Sequence, residues 1–167
     1  MDNSIDFKLN KTAICPGTYD PITEGHRDVI ERCSKVFDNV IVAVSKSHRK
    51  KPFYSLEKRV EFIKRVFKNN NNISVISFDG LLIDLAKKLN AQVIVKGLRA
   101  ISDFEYEFQM AQINKKLNPD IETMFLVTHP KYAYLSSSLV KEVAGFHGCI
   151  KGLVPDEIEN DIINSFK

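Results

Sequence analysis

The chain is short of cysteine, of net charge and of long apolar runs, and each shortage closes a class of function. Its three cysteines, Cys15, Cys33 and Cys149, are odd in number and far apart, and no CxxC pair occurs. A disulfide framework or structural zinc site is therefore disfavoured, and a reducing, cytoplasmic compartment is expected. The formal net charge of +3 over 167 residues is too small to argue by itself for a nucleic-acid partner. No apolar run approaches the roughly 20 residues of a membrane span. The opening "MDNSIDFKLNK" is polar and lacks the apolar core of a signal peptide. Residues 1–10 read as an extension and residues 11–167 as one domain. With 44% apolar and 27% charged residues, the composition is that of a globular protein able to bury a core.

Strand and helix patterns alternate along the chain. The segments 12–16 (TAICP), 39–45 (NVIVAVS), 73–78 (ISVISF), 92–97 (QVIVKG) and 122–129 (ETMFLVTH) read as five strands. Between them apolar residues recur at helical spacing: Val29, Ile30, Cys33, Val36 and Phe37; then Leu56, Val60, Ile63 and Phe67 behind an N-cap at Ser55; then Leu82, Leu85, Ala86 and Leu89. "SDFE" at 102–105 has capping-box spacing and predicts a helix start at Ser102. Two more helices are expected, near Ser136 and after Pro155. Serial βα units predict an α/β fold, a five-stranded parallel sheet with helices on both faces. Ligands of such sheets bind beyond the carboxyl ends of the strands, so the loops there are the candidate site.

The first of these loops, "PGTYDPITEGH" (16–26), reads as neither strand nor helix interior, with two prolines and two glycines. Its glycines permit close backbone approach, Thr18 and Thr23 offer hydroxyls, and His26 stands at a helix start, where anions are favoured. GxGxxG and GxxxxGK[ST] are both absent, which excludes a P-loop and leaves the usual dinucleotide fingerprint unsupported. The other loops add cations and hydroxyls: "HRKK" (48–51), "KGLR" (96–99) and "LSSSLVK" (135–141). Capping explains one of the three serines, not all. Together the loops suit a polyphosphate such as the tail of a nucleoside triphosphate.

The segments "PGTYDPITEGH", "SHRKKP", "VKGLRAISDFEYEFQMA" and "YLSSSLVKE", in this order, resemble the bacterial phosphopantetheine adenylyltransferases, members of the HxGH nucleotidyltransferase superfamily. Thr23 stands where the wider superfamily has the first histidine, as in the family's TxGH form. The resemblance implies a Rossmann-like nucleotidyltransferase fold and a reaction of ATP with 4′-phosphopantetheine giving dephospho-coenzyme A and pyrophosphate. It implies that His26 and Lys50 act in catalysis, with Arg49 and Lys51 leaving the second assignment open by one residue. ATP would be held by Thr18, Tyr19, His26, Gly97, Leu98, Arg99 and Glu107. The segment Tyr132, Ala133, Tyr134, Leu135, Ser136, Ser137 and Ser138 would wrap the same nucleotide. The second substrate would meet Thr18, Lys50, Leu82 and Lys96, the last where many members carry arginine. Lys141 sits where distant relatives place a second-signature cation. A homohexamer, and coenzyme A as an inhibitor occupying the site, are also implied.

The chemistry expected is nucleotidyl transfer without a covalent intermediate. A phosphate monoester is largely dianionic at neutral pH and needs no general base, and the loops hold no nucleophile–base pair of the Ser–His or Cys–His kind. Positioning and charge stabilisation would carry the rate. Mg²⁺ is expected as a cofactor arriving with ATP, since no aspartate cluster in the loops resembles a metal cage. Three rivals remain at this point, one of them a nucleotide sensor with no turnover, against which the intact His26 argues. Another is a nucleotidyltransferase of the same fold acting on nicotinate mononucleotide or an alcohol phosphate. The third, from a different class, is a nucleic-acid module using "HRKK" and "KGLR", for which no recognised binding motif is present.

Overall fold

The β-branched runs become five strands in a computed structural model that describes residues 11–46, 51–99 and 101–167. They are β1 (Thr12–Gly17), β2 (Asn39–Ser45), β3 (Ile73–Phe78), β4 (Val93–Leu98) and β5 (Glu122–Val127). All neighbours pair in parallel, in the order β3-β2-β1-β4-β5. Side-chain alternation splits each strand between two layers. Cys15, Val42 and Val95 face one layer with Ile30, Phe62, Val140 and Ile158, from the helices α1 (Glu24–Ser34), α2 (Leu56–Val66), α5 (Ser137–Gly145) and α6 (Asp156–Asn164). Ile14, Ala43 and Ile94 face the other, covered by Ile83 and Ala86 of α3 (Leu82–Lys88). The sheet is thus buried on both faces, as all-parallel sheets require. The remaining helix, α4 (Ile101–Leu117), lies between β4 and β5 in the chain. No helix among the described residues is long and apolar enough to cross a membrane.

Several boundaries differ from the sequence expectation. β1 runs one residue beyond the expected 12–16, with Gly17 in register with Val44, so the loop proper begins at Thr18. β5 ends at Val127, because His129 and Pro130 turn the chain into a single 3-10 turn, Pro130–Tyr132. α4 starts at Ile101, so Ser102 lies inside the helix rather than capping it. α1 stops at Ser34, which leaves Val36 exposed while Phe37 folds back into the core. The buried face of α2 runs through Arg59, Phe62, Ile63 and Val66, and its arginine is the largest fully buried side chain. The 1–10 extension and the His48, Arg49 and Lys50 part of the basic loop lie outside the described residues.

The topology opens a crevice. β1 and β2 share six register pairs, whereas β1 and β4 share only two, Ala13↔Val93 and Ile14↔Ile94. Strand order reverses here, and the carboxyl halves of β1 and β4 run on unpaired to each other. This is the switch point at which open α/β sheets receive ligands.

Candidate active site

A cavity of about 760 Å³ fills that crevice. Its walls come from the end of β1 and the following loop, the first two turns of α1, the end of β4, and α4. The structure brings Thr18 and Tyr19 to it from the first loop, His26 from the first turn of α1, Lys96, Gly97 and Arg99 from the β4 end, Glu107 from α4, Leu82 from the start of α3 and Leu135 from the loop before α5. Leu98, Tyr132, Ala133, Tyr134, Ser136, Ser137 and Ser138 do not line it. The 132–138 segment borders it through Leu135, whose carbonyl accepts a hydrogen bond from Arg99 Nη1 at 2.7 Å. Lys50 lies outside the described residues.

His26 is oriented by its own helix cap. Thr23 is the N-cap of α1, and His26 occupies the third helical position. The Thr23 amide donates to His26 Nδ1 at 3.0 Å, the Thr23 hydroxyl stands 3.0 Å from the same nitrogen, and the His26 amide returns toward Thr23 Oγ1 at 3.4 Å. This is a capping box with histidine in the place of glutamate. An amide can only donate, so Nδ1 is the acceptor and the neutral ring carries its proton on Nε2. Burial and the charge of Arg99 push the His26 pKa down to about 4, so at neutral pH the ring is an uncharged N–H donor. Tyr19 packs edge-on against it, with ring centroids 5.1 Å apart.

The loop behind His26 is tightly held. Tyr19 has φ of +50°, uncommon for a residue with a Cβ, and is kept there by a buried ring whose hydroxyl donates to the Cys15 carbonyl at 2.9 Å. A Cβ on Gly17 would come within 2.9 Å of that ring, so glycine is required beneath it. Gly97 makes a different close approach: a Cβ there would meet Val29 of α1 at 3.1 Å, so that side chain would have to give where helix and strand close behind the cavity. Asp20 is buried and accepts from the amides of Phe53 and Tyr54 at 2.9 Å each, besides an ion pair with Lys141. Burial would raise its pKa, but Lys141 and the two amides outweigh it and hold the carboxyl below its ordinary value. Lys141, the second-signature cation, is therefore engaged by Asp20 and does not line the cavity.

Two cations, Lys96 and Arg99, also line the cavity. Lys96 stands 3.1 Å from Glu107, an ion contact without an aligned hydrogen bond to that buried carboxylate oxygen. Cys15 is the one thiol in the lining. Its neighbour Cys33, with Sγ atoms 3.7 Å apart, and burial push its pKa well up, so it is protonated and unsuited to nucleophilic attack. The three serines divide their work: Ser136 caps α5 through Leu139 N, Ser137 donates to the Pro21 carbonyl at 2.8 Å, and Ser138 is exposed. No group of three His, Cys, Asp or Glu among the described residues could hold a metal ion. Sequence reasoning missed Asp20 and Arg59 behind the loop, along with Ser45, Phe78, Tyr106 and Thr128 in the lining.

Residues 14–143 match the cytidylyltransferase-like family. A phosphopantetheine adenylyltransferase of Clostridium botulinum (strain Alaska E43 / Type E3) is 58% identical over 94% of this chain and 99% of its own length. The Caldanaerobacter subterraneus protein of the same name is 54% identical over 94% and 98%. A putative nicotinate-nucleotide adenylyltransferase from Vibrio parahaemolyticus superimposes with a TM-score of 0.71 over 93% of this chain and 100% of that one, at 18% identity, which bears on the fold alone. By the length and level of these matches, the chain belongs to the phosphopantetheine adenylyltransferase family of cytidylyltransferase-like proteins.

Proposed function

We propose that this chain transfers the adenylyl group of ATP to 4′-phosphopantetheine, giving dephospho-coenzyme A and pyrophosphate, by direct in-line attack. A phosphate oxygen of phosphopantetheine forms the new bond to the α-phosphorus. The bond to the β-phosphate oxygen breaks, and pyrophosphate leaves with the electron pair. The observation that carries this reading is His26, a neutral Nε2–H donor fixed by its cap at a helix N-terminus in a cavity that Lys96 and Arg99 also line. Such a donor stabilises charge that grows on the α-phosphate without itself changing protonation. The neutral thiol of Cys15 supports a route without a covalent enzyme intermediate.

Thr18 and the loop amides hold the phosphates near His26, Arg99 and Lys96 balance their charge, and Leu82 meets the pantetheine arm. Mg²⁺ enters with ATP as part of the substrate. The single carboxylate in the lining, Glu107, faces Lys96 and so leaves the metal to the phosphate oxygens. A homohexamer is supported by α4 and β5, which carry Phe104, Phe108, Ile113, Leu117, Met124 and Val127 exposed to solvent. Coenzyme A, which shares the pantetheine arm and adenosine of the product, is expected to inhibit by filling the same cavity.

The test is pyrophosphate release from MgATP by the purified protein. It is expected with 4′-phosphopantetheine and not with nicotinate mononucleotide. Release that does not depend on 4′-phosphopantetheine refutes the substrate assignment.

A further inference from the structure

Arg59 is an anomaly in a hydrophobic layer. It is 1% exposed, among Phe62, Ile63 and Val66 of the same helix face. Burying a guanidinium costs several kcal/mol unless its donors are satisfied. Packing alone would be served by an aliphatic side chain here. What the arginine adds is a hold on three carbonyls from three separate segments. Its Nη1 donates to Thr18 O at 2.7 Å and Ser45 O at 2.8 Å, and its Nε donates to Tyr54 O at 3.2 Å. Thr18 and Ser45 line the cavity, whereas Arg59 itself does not.

Asp20 makes the complementary hold from the other side. Its carboxylate accepts the amides of Phe53 and Tyr54, and Lys141 ties it to α5. Residues 18–20 are therefore fastened to residues 53–54 by a carboxylate taking amides and a guanidinium taking carbonyls. The same guanidinium fastens both to the end of β2. Apart from the Lys141–Asp20 pair, each hydrogen bond is to backbone and so does not depend on the rotamer of a second side chain. Both groups are charged, and such bonds are the stronger kind.

We propose that Arg59 and Asp20 are a positioning pair for the reaction. From outside the cavity they set the backbone at Thr18 and Ser45 to the geometry in which two phosphates meet. The inference rests on the adenylyl-transfer reading. Misplacement of reacting groups by about 1 Å costs on the order of 10²-fold in rate. A lysine at 59 keeps the charge but cannot span three carbonyls in one plane.

The test uses R59K and D20N of the full-length chain. The measurements are kcat and KM for both substrates, ATP affinity by calorimetry, thermal unfolding, and hydrogen exchange at the Phe53 and Tyr54 amides. R59K is expected to lose roughly 10- to 100-fold in kcat with KM values within about threefold, and to exchange those amides faster. D20N, which keeps the guanidinium, is expected to lose about tenfold in kcat. A folded R59K with wild-type kcat and only a lower Tm overturns the proposal, since a structural clamp moves stability alone. If R59K does not fold, D20N decides: wild-type kcat in D20N overturns the proposal, and a loss of kcat supports it. If the wild-type protein itself does not use 4′-phosphopantetheine, the reaction assignment fails separately. The kcat comparison is then made with the acceptor that does support pyrophosphate release, the same losses in either variant supporting positioning and wild-type kcat in both overturning it.

Discussion

The two walls of the cavity are built on opposite plans. The β1–α1 wall is over-determined within one chain. α1 buries Gly25, Val29, Ile30 and Cys33, α2 buries Arg59, Phe62, Ile63 and Val66, and the loop between β1 and α1 is tied by Tyr19, Asp20, Thr23 and Ser137. The α4 wall is under-determined. Asn114 is the only buried residue among those of α4 whose side chains are described, and Phe104, Tyr106, Phe108, Ile113 and Leu117 are exposed around the helix. Yet Tyr106 and Glu107 of that helix line the same cavity. A helix apolar on several sides is buried in the assembled state of a protein. The contrast teaches a division of labour: the wall that carries His26 is completed by the fold of the chain, and the wall that carries Tyr106 and Glu107 leaves an apolar helix face open to solvent.

The largest effect should come from breaking the rigid wall at its reacting end. His26→Ala removes an N–H donor aimed at the transition state, and such donors are worth about 10²–10³ in rate. Turnover is expected to fall by at least that factor, with ATP affinity within a few-fold of wild type and a normal circular dichroism spectrum. Steady-state kinetics and calorimetry on the purified variant make the check. Near-normal turnover would reduce His26 to a cap residue.

Acid should also separate the walls. The His26 pKa lies near 4 in the folded protein and near 6.5 in the unfolded chain, so between these values the unfolded state binds more protons. His26 therefore contributes stability fully above about pH 6.5 and loses it as pH falls to about 4, an effect on the order of 3 kcal/mol. Glu24, held up by burial, pulls the other way above its ordinary pKa, so the informative quantity is a difference. Wild type is expected to lose Tm between pH 6.5 and 4 more steeply than His26→Asn. Asp20, whose pKa is lowered, adds its loss only below its ordinary value near 4. Parallel Tm curves for the two proteins would show that the ring titrates normally.

The flexible plan of the second wall is tested by charge. Ile113→Glu with Leu117→Glu places two carboxylates one turn apart on the exposed apolar side of α4, on the face that also carries Tyr106 but about two and three turns further along the helix. Light scattering should show a shift to smaller species, and activity should drop about tenfold through loss of positioning at the cavity. An intact assembly with full activity would mean that this face is covered by nothing in solution.

The sequence displayed the rigid wall's frame more readily than its fastenings. Strands were legible because Val, Ile and Ala fill runs that are covered on both faces, and the loops were legible because Pro, Gly, Thr and Lys cluster at strand ends. Arg59 was not, because it sits in "LEKRVEF" among Glu57, Lys58 and Glu61 and reads there as one more solvated charge. Only the fold shows that it faces inward beside Phe62. Asp20 was hidden in the same way, as a turn residue whose partners lie 33 and 34 positions along the chain. The triple serine was legible as an excess over capping, but its use differs: the Ser137 hydroxyl serves the Pro21 carbonyl and so braces the loop. Val36 and Ser102 misled because periodicity locates a helix better than its ends.

The smallest effect is expected where the two walls meet, at Lys96. It leaves β4 on the rigid sheet and contacts Glu107 on α4 at 3.1 Å, so it reports on both. Lysine presents a point charge on a flexible stem, whereas arginine presents a planar fork able to take two oxygens of a phosphate or carboxylate at once. Lys96→Arg keeps the charge and changes the geometry of the hold on substrate and on Glu107. A fork seated on Glu107 would brace α4 in the free protein and must be released when phosphopantetheine enters. A fork seated on the substrate phosphate would strengthen the complex instead. Either way the change is in ground-state binding, so KM for 4′-phosphopantetheine is expected to move by a few-fold while kcat stays within about threefold. Kinetics at saturating ATP give both numbers. A fall in KM assigns the fork to substrate, a rise assigns it to Glu107, and a collapse of kcat at unchanged KM would place Lys96 in the transition state, on the rigid wall's side of the comparison.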